Sequence, residues 1–198
     1  MLRSGARPST EANRAARVFK MTKQTKTPLS HLAKKVADVA SLEGEFTLRS
    51  GQVSNRSFDK YRFEGQPDIL RQLAKAMADL LPAETEIIAG LELGGVPLVT
   101  ALSLETGLPA AFVRKEAKTY GPCRAIEGQD VAGRKVTFIE DVISTGGAVA
   151  EAYSLAQREG ADILGVICAI WRGEGEPAVK GVTGLPVFPV FTRADLES

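Results

Sequence analysis

The sequence predicts a three-layer α/β domain, a central parallel sheet flanked by helices, with a smaller lobe ahead of it. Three observations carry that prediction. Five short apolar runs, at 87–91, 110–113, 136–139, 163–170 and 186–190, show little polar alternation, the pattern of strands buried on both faces. Helix-like stretches at 96–106 and 147–159 separate them, as in a sheet wound with crossover helices. The chain has 198 residues, 44% of them hydrophobic and 25% charged, an ordinary globular mixture with enough material for one well-buried core. A second full catalytic unit is not expected within that length.

The first 29 residues hold seven of the 25 basic side chains and one of the 24 acids, so the rest carries 18 against 23, a net −5. The whole-chain charge of +1 therefore joins a basic tail to an acidic body, which argues against a broadly electropositive nucleic-acid binder. Residues 1–29 are expected to form a disordered extension, with Met21 as a second start; a functional basic arm and a targeting segment are the other readings. Residues 30–198 form the folded body. From His31 the apolar residues Leu32, Val36, Val39 and Leu42 recur at helical spacing, with Ser30 as the cap. Phe46 to Arg49 and Phe58 to Tyr61 read as short strands around a polar segment, a hairpin-like piece. Pro67, followed by Leu70, Leu73, Met77, Leu80 and Leu81 on one face, opens a second helix that runs to about Pro82. No apolar run approaches the length of a membrane-spanning helix. Two separated cysteines, Cys123 and Cys168, and the single His31 support neither a zinc site nor a disulfide framework, and a reducing, cytoplasmic setting fits.

Two phosphate-loop patterns fail on inspection. Gly128 to Lys135 has Walker A glycine spacing, but Arg134 stands where Lys is required and the segment runs into a strand. Gly173 to Ala178 fits G-x-G-x-x-A, yet Glu174 and Glu176 would face a pyrophosphate with like charge. The pattern that holds is Val136 to Ala148: a buried strand delivers Glu140 and Asp141, then Val142-Ile143-Ser144-Thr145-Gly146-Gly147-Ala148 turns into a helix. Ligands of open α/β sheets bind at the carboxyl ends of strands. The turn offers hydroxyls, approachable backbone N–H groups and a helix N-terminus to a phosphate. Vicinal hydroxyls are good donors to carboxylates. A phosphate beside a diol describes a ribose 5-phosphate.

This thirteen-residue segment resembles the phosphoribosyl-pyrophosphate (PRPP) signature of type I phosphoribosyltransferases, with Ala148 where that family usually has Thr or Ser. Arg114-Lys115-Glu116-Ala117-Lys118 resembles the R-K-E-x-K loop of the orotate phosphoribosyltransferases. Cations there suit a reaction that builds negative charge on a leaving pyrophosphate, and a closing loop would exclude water from the sugar cation. The likeness runs from about Leu32 to Val190. Phe46 to Gly51, with Arg49, resembles the family's F-x-L-[KR]-S-G stretch, and Ser54 to Lys60 its hood segment, leaving Phe58 as the ring nearest the base. Gly90 to Leu98 resembles the loop that approaches the pyrophosphate, with Gly94 where some members carry Lys. Arg172, after Trp171, stands where the family has an Arg that pairs with the substrate carboxylate, and Tyr120 where many members have His.

The resemblance implies a type I phosphoribosyltransferase fold with a small N-terminal hood, and an enzyme that transfers the 5-phosphoribosyl group from PRPP to orotate. It implies Lys118, Arg114 and Asp141 as catalytic residues. PRPP binding falls to Arg49, Arg114, Lys115, Lys118, Glu140, Asp141, Val142, Ile143, Ser144, Thr145, Gly146, Gly147 and Ala148, and orotate binding to Phe58, Ser144 and Arg172. No metal is held by the protein itself, Mg²⁺ arriving on PRPP. A homodimer is implied, with loop 114–128 shared between subunits, and neither nucleic acid nor membrane is expected as a partner. A purine-type transferase is the alternative within enzymes, and a PRPP-sensing regulator, favoured only by the basic tail, the alternative outside them.

Overall fold

The computed structural model describes residues 26–47, 51, 53–115 and 125–197. Of the extension expected over 1–29, residues 1–25 lie outside them, and with them most of the basic tail, while 26–29 belong to the first helix. Helix α1 (Lys26–Ala40) begins earlier than the periodicity predicts, so Ser30 sits inside the helix and is not its cap. Of the anticipated stripe, Leu32 and Val36 are buried and Val39 half-buried, joined by the buried Ala33 and Ala40, while Leu42 falls in the strand that follows and His31 is exposed. Strands β1 (Ser41–Thr47) and β2 (Val53–Phe58) pair antiparallel as a separate two-stranded sheet. The strand expected over Phe58 to Tyr61 stops at Phe58, because Asp59 accepts a 3.1 Å hydrogen bond from the Tyr61 N–H and caps a short helix, α2 (Lys60–Glu64). That helix drives Phe63, fully buried, into the core. Helix α3 (Pro67–Ala78) starts on Pro67 as predicted and buries Ile69, Leu73, Ala74 and Met77, ending short of Pro82.

From there the chain alternates: β3 (Ile87–Leu91), α4 (Gly95–Thr106), β4 (Ala110–Val113), β5 (Ile126–Gly128), β6 (Lys135–Ile143), α5 (Gly147–Arg158), β7 (Asp162–Trp171), β8 (Val187–Thr192) and α6 (Arg193–Glu197). The six-stranded sheet has the order β5-β4-β3-β6-β7-β8. It is parallel except at its edge, where β5 returns antiparallel to β4. Neither β5 nor α6 was anticipated, since elements of three and five residues carry no readable period. Strand β6 is longer than its apolar run suggests, and the acids at its end remain in the ladder, Glu140 beside Cys168 and Ile143 beside Trp171.

Two apolar clusters cover the faces of the sheet. One packs α1, α3 and α4, through Val36, Leu73, Met77 and Leu98, onto Ile88, Ile139 and Ile167. The other packs α5, through Val149, Ala152 and Ala156, onto Ile87, Phe138, Val166 and Cys168. Adjacent strand residues point to opposite faces, which is why Ile87 and Ile88 serve different clusters. The winding reverses between β3, whose next strand lies on one side, and β6, whose next strand lies on the other. A crevice opens at the carboxyl ends of that central pair.

Candidate active site

The crevice is walled by four pieces of chain. The turn after β6 supplies Ser144 and Thr145, both exposed, then Gly146 at φ +77°, a left-handed conformation that precedes α5. A side chain at Gly146 would press on Val179 as well as strain that φ. Beyond it the first turn of α5 presents the N–H groups that a helix start leaves unpaired. The loop after β3 supplies Glu92 and Leu93, across a cis peptide, and Gly94 ahead of α4. Lys115 follows β4, and Lys60 and Tyr61 come from the hood helix α2. Together with Glu140, Val142 and Ile143 these residues, Gly94 excepted, line one cavity of about 210 Å³. Positive groups, two acids and a helix N-terminus thus converge on a space the size of a small phosphorylated ligand.

The two acids are not equivalent. Glu140 borders the cavity, whereas Asp141 is fully buried. The Asp141 carboxylate turns toward Gly94, where an added Cβ would collide with Oδ2, and toward Lys60, whose Nζ lies 2.5 Å from that oxygen. Its Oδ1 accepts from the Val142 N–H, and its own N–H donates to Glu140 Oε1 at 3.0 Å. Burial works against its charged form, but hydrogen bonds with Glu140 and Lys60 outweigh burial and hold its carboxyl below the usual carboxylate range. Glu140 moves the other way: burial, then the shared hydrogen bond with Asp141, push it well above that range. Burial lowers Lys60, and the pairing with Asp141 more than compensates.

The base-side residues occupy different ground. The Arg172 guanidinium lies over the Phe58 ring, 5.2 Å from its centroid, and both face a larger cavity of about 1040 Å³ with Arg56, Ser57 and Arg193. The Arg172 N–H, bonded to the Ile143 carbonyl at 2.8 Å, ties the end of β7 to the end of β6. Ser144 does not share that larger cavity; it lines the phosphate-sized one and a third, of about 270 Å³, beside Trp171.

The structure thus gathers Lys115, Glu140, Val142, Ile143, Ser144, Thr145, Gly146, Gly147 and Ala148 around one cavity, and Phe58 with Arg172 around another. Arg114 directly follows β4, its N–H held 2.9 Å from the Ala125 carbonyl. Arg49, Lys118 and Tyr120 lie outside the described residues. Sequence reasoning missed Lys60, Glu64 and Glu92. A lysine and a glutamate four apart behind an Asp cap were the available signal, but nothing in the sequence says that this turn of helix packs on β6.

A family model, "Phosphoribosyl transferase domain", matches residues 63–191. A curated protein of Nocardioides sp., "Orotate phosphoribosyltransferase", is 50% identical over 167 residues, which is 84% of this chain and 93% of that protein. The protein of the same name from Methanopyrus kandleri is 38% identical over 166 residues, 83% of this chain and 90% of its own. Among solved structures, the orotate phosphoribosyltransferase of Mycobacterium tuberculosis H37Rv, crystallised with Fe(III) dicitrate, superposes with a TM-score of 0.77 at 30% identity, covering 86% of this chain and 99% of that one.

Proposed function

The chain belongs to the orotate phosphoribosyltransferase family, and on that premise we propose how its own residues carry out the family's reaction. It transfers the 5-phosphoribosyl group of PRPP to orotate, a step of pyrimidine biosynthesis: a ring nitrogen of orotate bonds to C1 of the ribose as the C1–oxygen bond to pyrophosphate breaks. The observation that carries the assignment of parts is the convergence of a phosphate turn, two acids, Glu92 and Glu140, and two lysines on one cavity. Ser144 to Ala148 receive the 5-phosphate with hydroxyls, backbone N–H groups and the start of α5. The acids at the end of β6 take the ribose diol, Glu140 from the cavity wall and Asp141 from behind it.

Lys115, with Arg114 and Lys118, meets the pyrophosphate, whose negative charge grows as the bond breaks, so cations held there stabilise the transition state more than the ground state. Mg²⁺ belongs to this scheme as part of the substrate, carried on pyrophosphate oxygens, the usual way this ion enters phosphate chemistry. Arg172 reads the orotate carboxylate; its planar fork suits a carboxylate bidentately, and Phe58 beneath it fixes the plane of the guanidinium. A homodimer sharing loop 114–128 and a cytoplasmic location complete the proposal; among the described residues no helix is long and apolar enough to cross a membrane.

A steady-state assay with PRPP and Mg²⁺, offering orotate against hypoxanthine, tests it. Release of pyrophosphate with orotate and not with hypoxanthine is the expected result; preference for the neutral purine would remove Arg172 from its role.

A further inference from the structure

Helix α2 belongs to the hood, yet two of its side chains reach beneath it to the acids of β6. Lys60 and Glu64 are four residues apart, so they share one face of that helix. Lys60 meets Asp141 Oδ2 at 2.5 Å and keeps about a third of its side chain exposed, toward the cavity. Glu64 is buried, and neither of its oxygens meets a hydrogen-bond donor among the described residues. A carboxylate in that position would be an uncompensated buried charge beside another one, a costly arrangement that a proton relieves.

We propose that Lys60 and Glu64 are positioning residues for the transfer reaction, setting the orientation and charge of Asp141 so that it accepts from the ribose diol. Lys60 pins the carboxylate and balances its charge. Glu64 stays protonated and donates to the same carboxylate from the hood side. Burial first, then the Asp141 charge, push Glu64 up to about 8, and Lys60 opposes that shift. The groups facing this pair are Asp59 and Tyr61 on its own turn of chain and Asp141 and Glu140 from β6; beside Glu140 in the ladder lies the buried Cys168 thiol of β7, itself pushed up by burial and by those acids. Asp59 adds negative charge, and burial with the Asp141 charge outweighs the pull of Lys60 toward the ionised form. Gly94 completes the seat, because any side chain there would displace the Asp141 carboxylate. Above pH 8 an ionised Glu64 would repel Asp141 and compete for Lys60, and the diol would lose its acceptor.

The proposal rests on the placing of the diol at these acids, and the test separates the two. Ribose 5-phosphate and inorganic phosphate are titrated calorimetrically into the full chain and its variants, with turnover measured alongside. The wild type should hold ribose 5-phosphate at least about ten-fold more tightly than phosphate. In Lys60→Met that preference should fall to about three-fold or less with phosphate affinity nearly kept, and kcat should drop more than the KM for PRPP. Lys60→Arg should recover part of both. In Glu64→Gln, which keeps a donor but cannot ionise, the fall in ribose 5-phosphate affinity above pH 8 should disappear. Folded Lys60→Met that retains the preference, or that loses both ligands by the same factor, overturns the proposal. So does an alkaline fall that survives in Glu64→Gln, a variant that introduces no unpaired charge and so tests the idea even where Lys60→Met does not fold. A wild type that binds the two ligands equally removes the diol from the acids and the proposal with it.

Discussion

The two sides of the crevice are built differently. The phosphate side is one continuous stretch, Glu140 to Ala148, fixed between a strand hydrogen-bonded on both flanks and a helix start. The base side joins Phe58, at the end of an exposed two-stranded hairpin, to Arg172, just past β7, through one cation–ring contact. In the proposed assignment of parts, recognition of the phosphoribosyl group rests on backbone that cannot shift without breaking the sheet, whereas recognition of the base rests on side chains from separate elements. Substitutions on the first side should damage every substrate alike, and those on the second should discriminate.

The harshest challenge to that contrast is at the leaving group: Lys118→Ala should cut turnover by about 10²–10³ while PRPP still binds, and equal loss of both would deny a transition-state role. Gly94→Ala follows, since its Cβ must displace the Asp141 carboxylate; kcat/KM should fall about 100-fold and stability by about 2 kcal/mol, checked by kinetics and denaturant melts. Arg172→Ala should raise the KM for orotate by about ten-fold or more with that for PRPP little changed; a matching rise in both would erase the distinction between the two sides. A smaller effect is expected from pH. Glu64 is neutral in the fold up to about pH 8 but ionises near its ordinary value of 4.5 in the unfolded chain. Between those values the folded state binds more protons, so its stability declines as pH rises through that window. Glu64→Gln should flatten the decline, by a few degrees in the Tm difference between pH 5 and pH 8. Removing residues 1–20 should leave turnover unaltered, and an inactive truncation would bring the basic tail into the site.

The legible parts of the molecule are those whose chemistry is contiguous. Val136 to Ala148 declares itself because acid, turn and helix start follow one another, and β3 and β4 declare themselves as bare apolar runs. Residues whose meaning depends on a distant packing partner were silent. Lys60 reads as the end of a hood segment, and Glu64 draws no reading at all, until α2 is laid against β6. Ser30 looked like a helix cap because the apolar stripe begins after it, yet the helix extends back to Lys26. The strand expected over Phe58 to Tyr61 failed at Asp59, whose side chain captures the Tyr61 N–H and turns the chain. The separation of Ser144 from Phe58 and Arg172 into different cavities is likewise a matter of three dimensions alone.

The antiparallel return of β5 along β4 gives the cationic segment an unusual freedom to change. The chain departs at Arg114 and comes back at Ala125, where the Arg114 N–H meets the Ala125 carbonyl at 2.9 Å, so both ends are fastened at the rim of the sheet, anchored by the buried Val113 and Ile126 beside them. For an excursion closed at its base, the entropy of closure grows only with the logarithm of its length, and doubling it costs about 0.6 kcal/mol. Residues can be gained, lost or exchanged between these two points at little expense to the fold. One residue inserted into β6 would instead throw every following side chain to the opposite face of the sheet. Under the proposed roles, leaving-group chemistry is thereby free to drift while the sugar-binding scaffold is held to its present register.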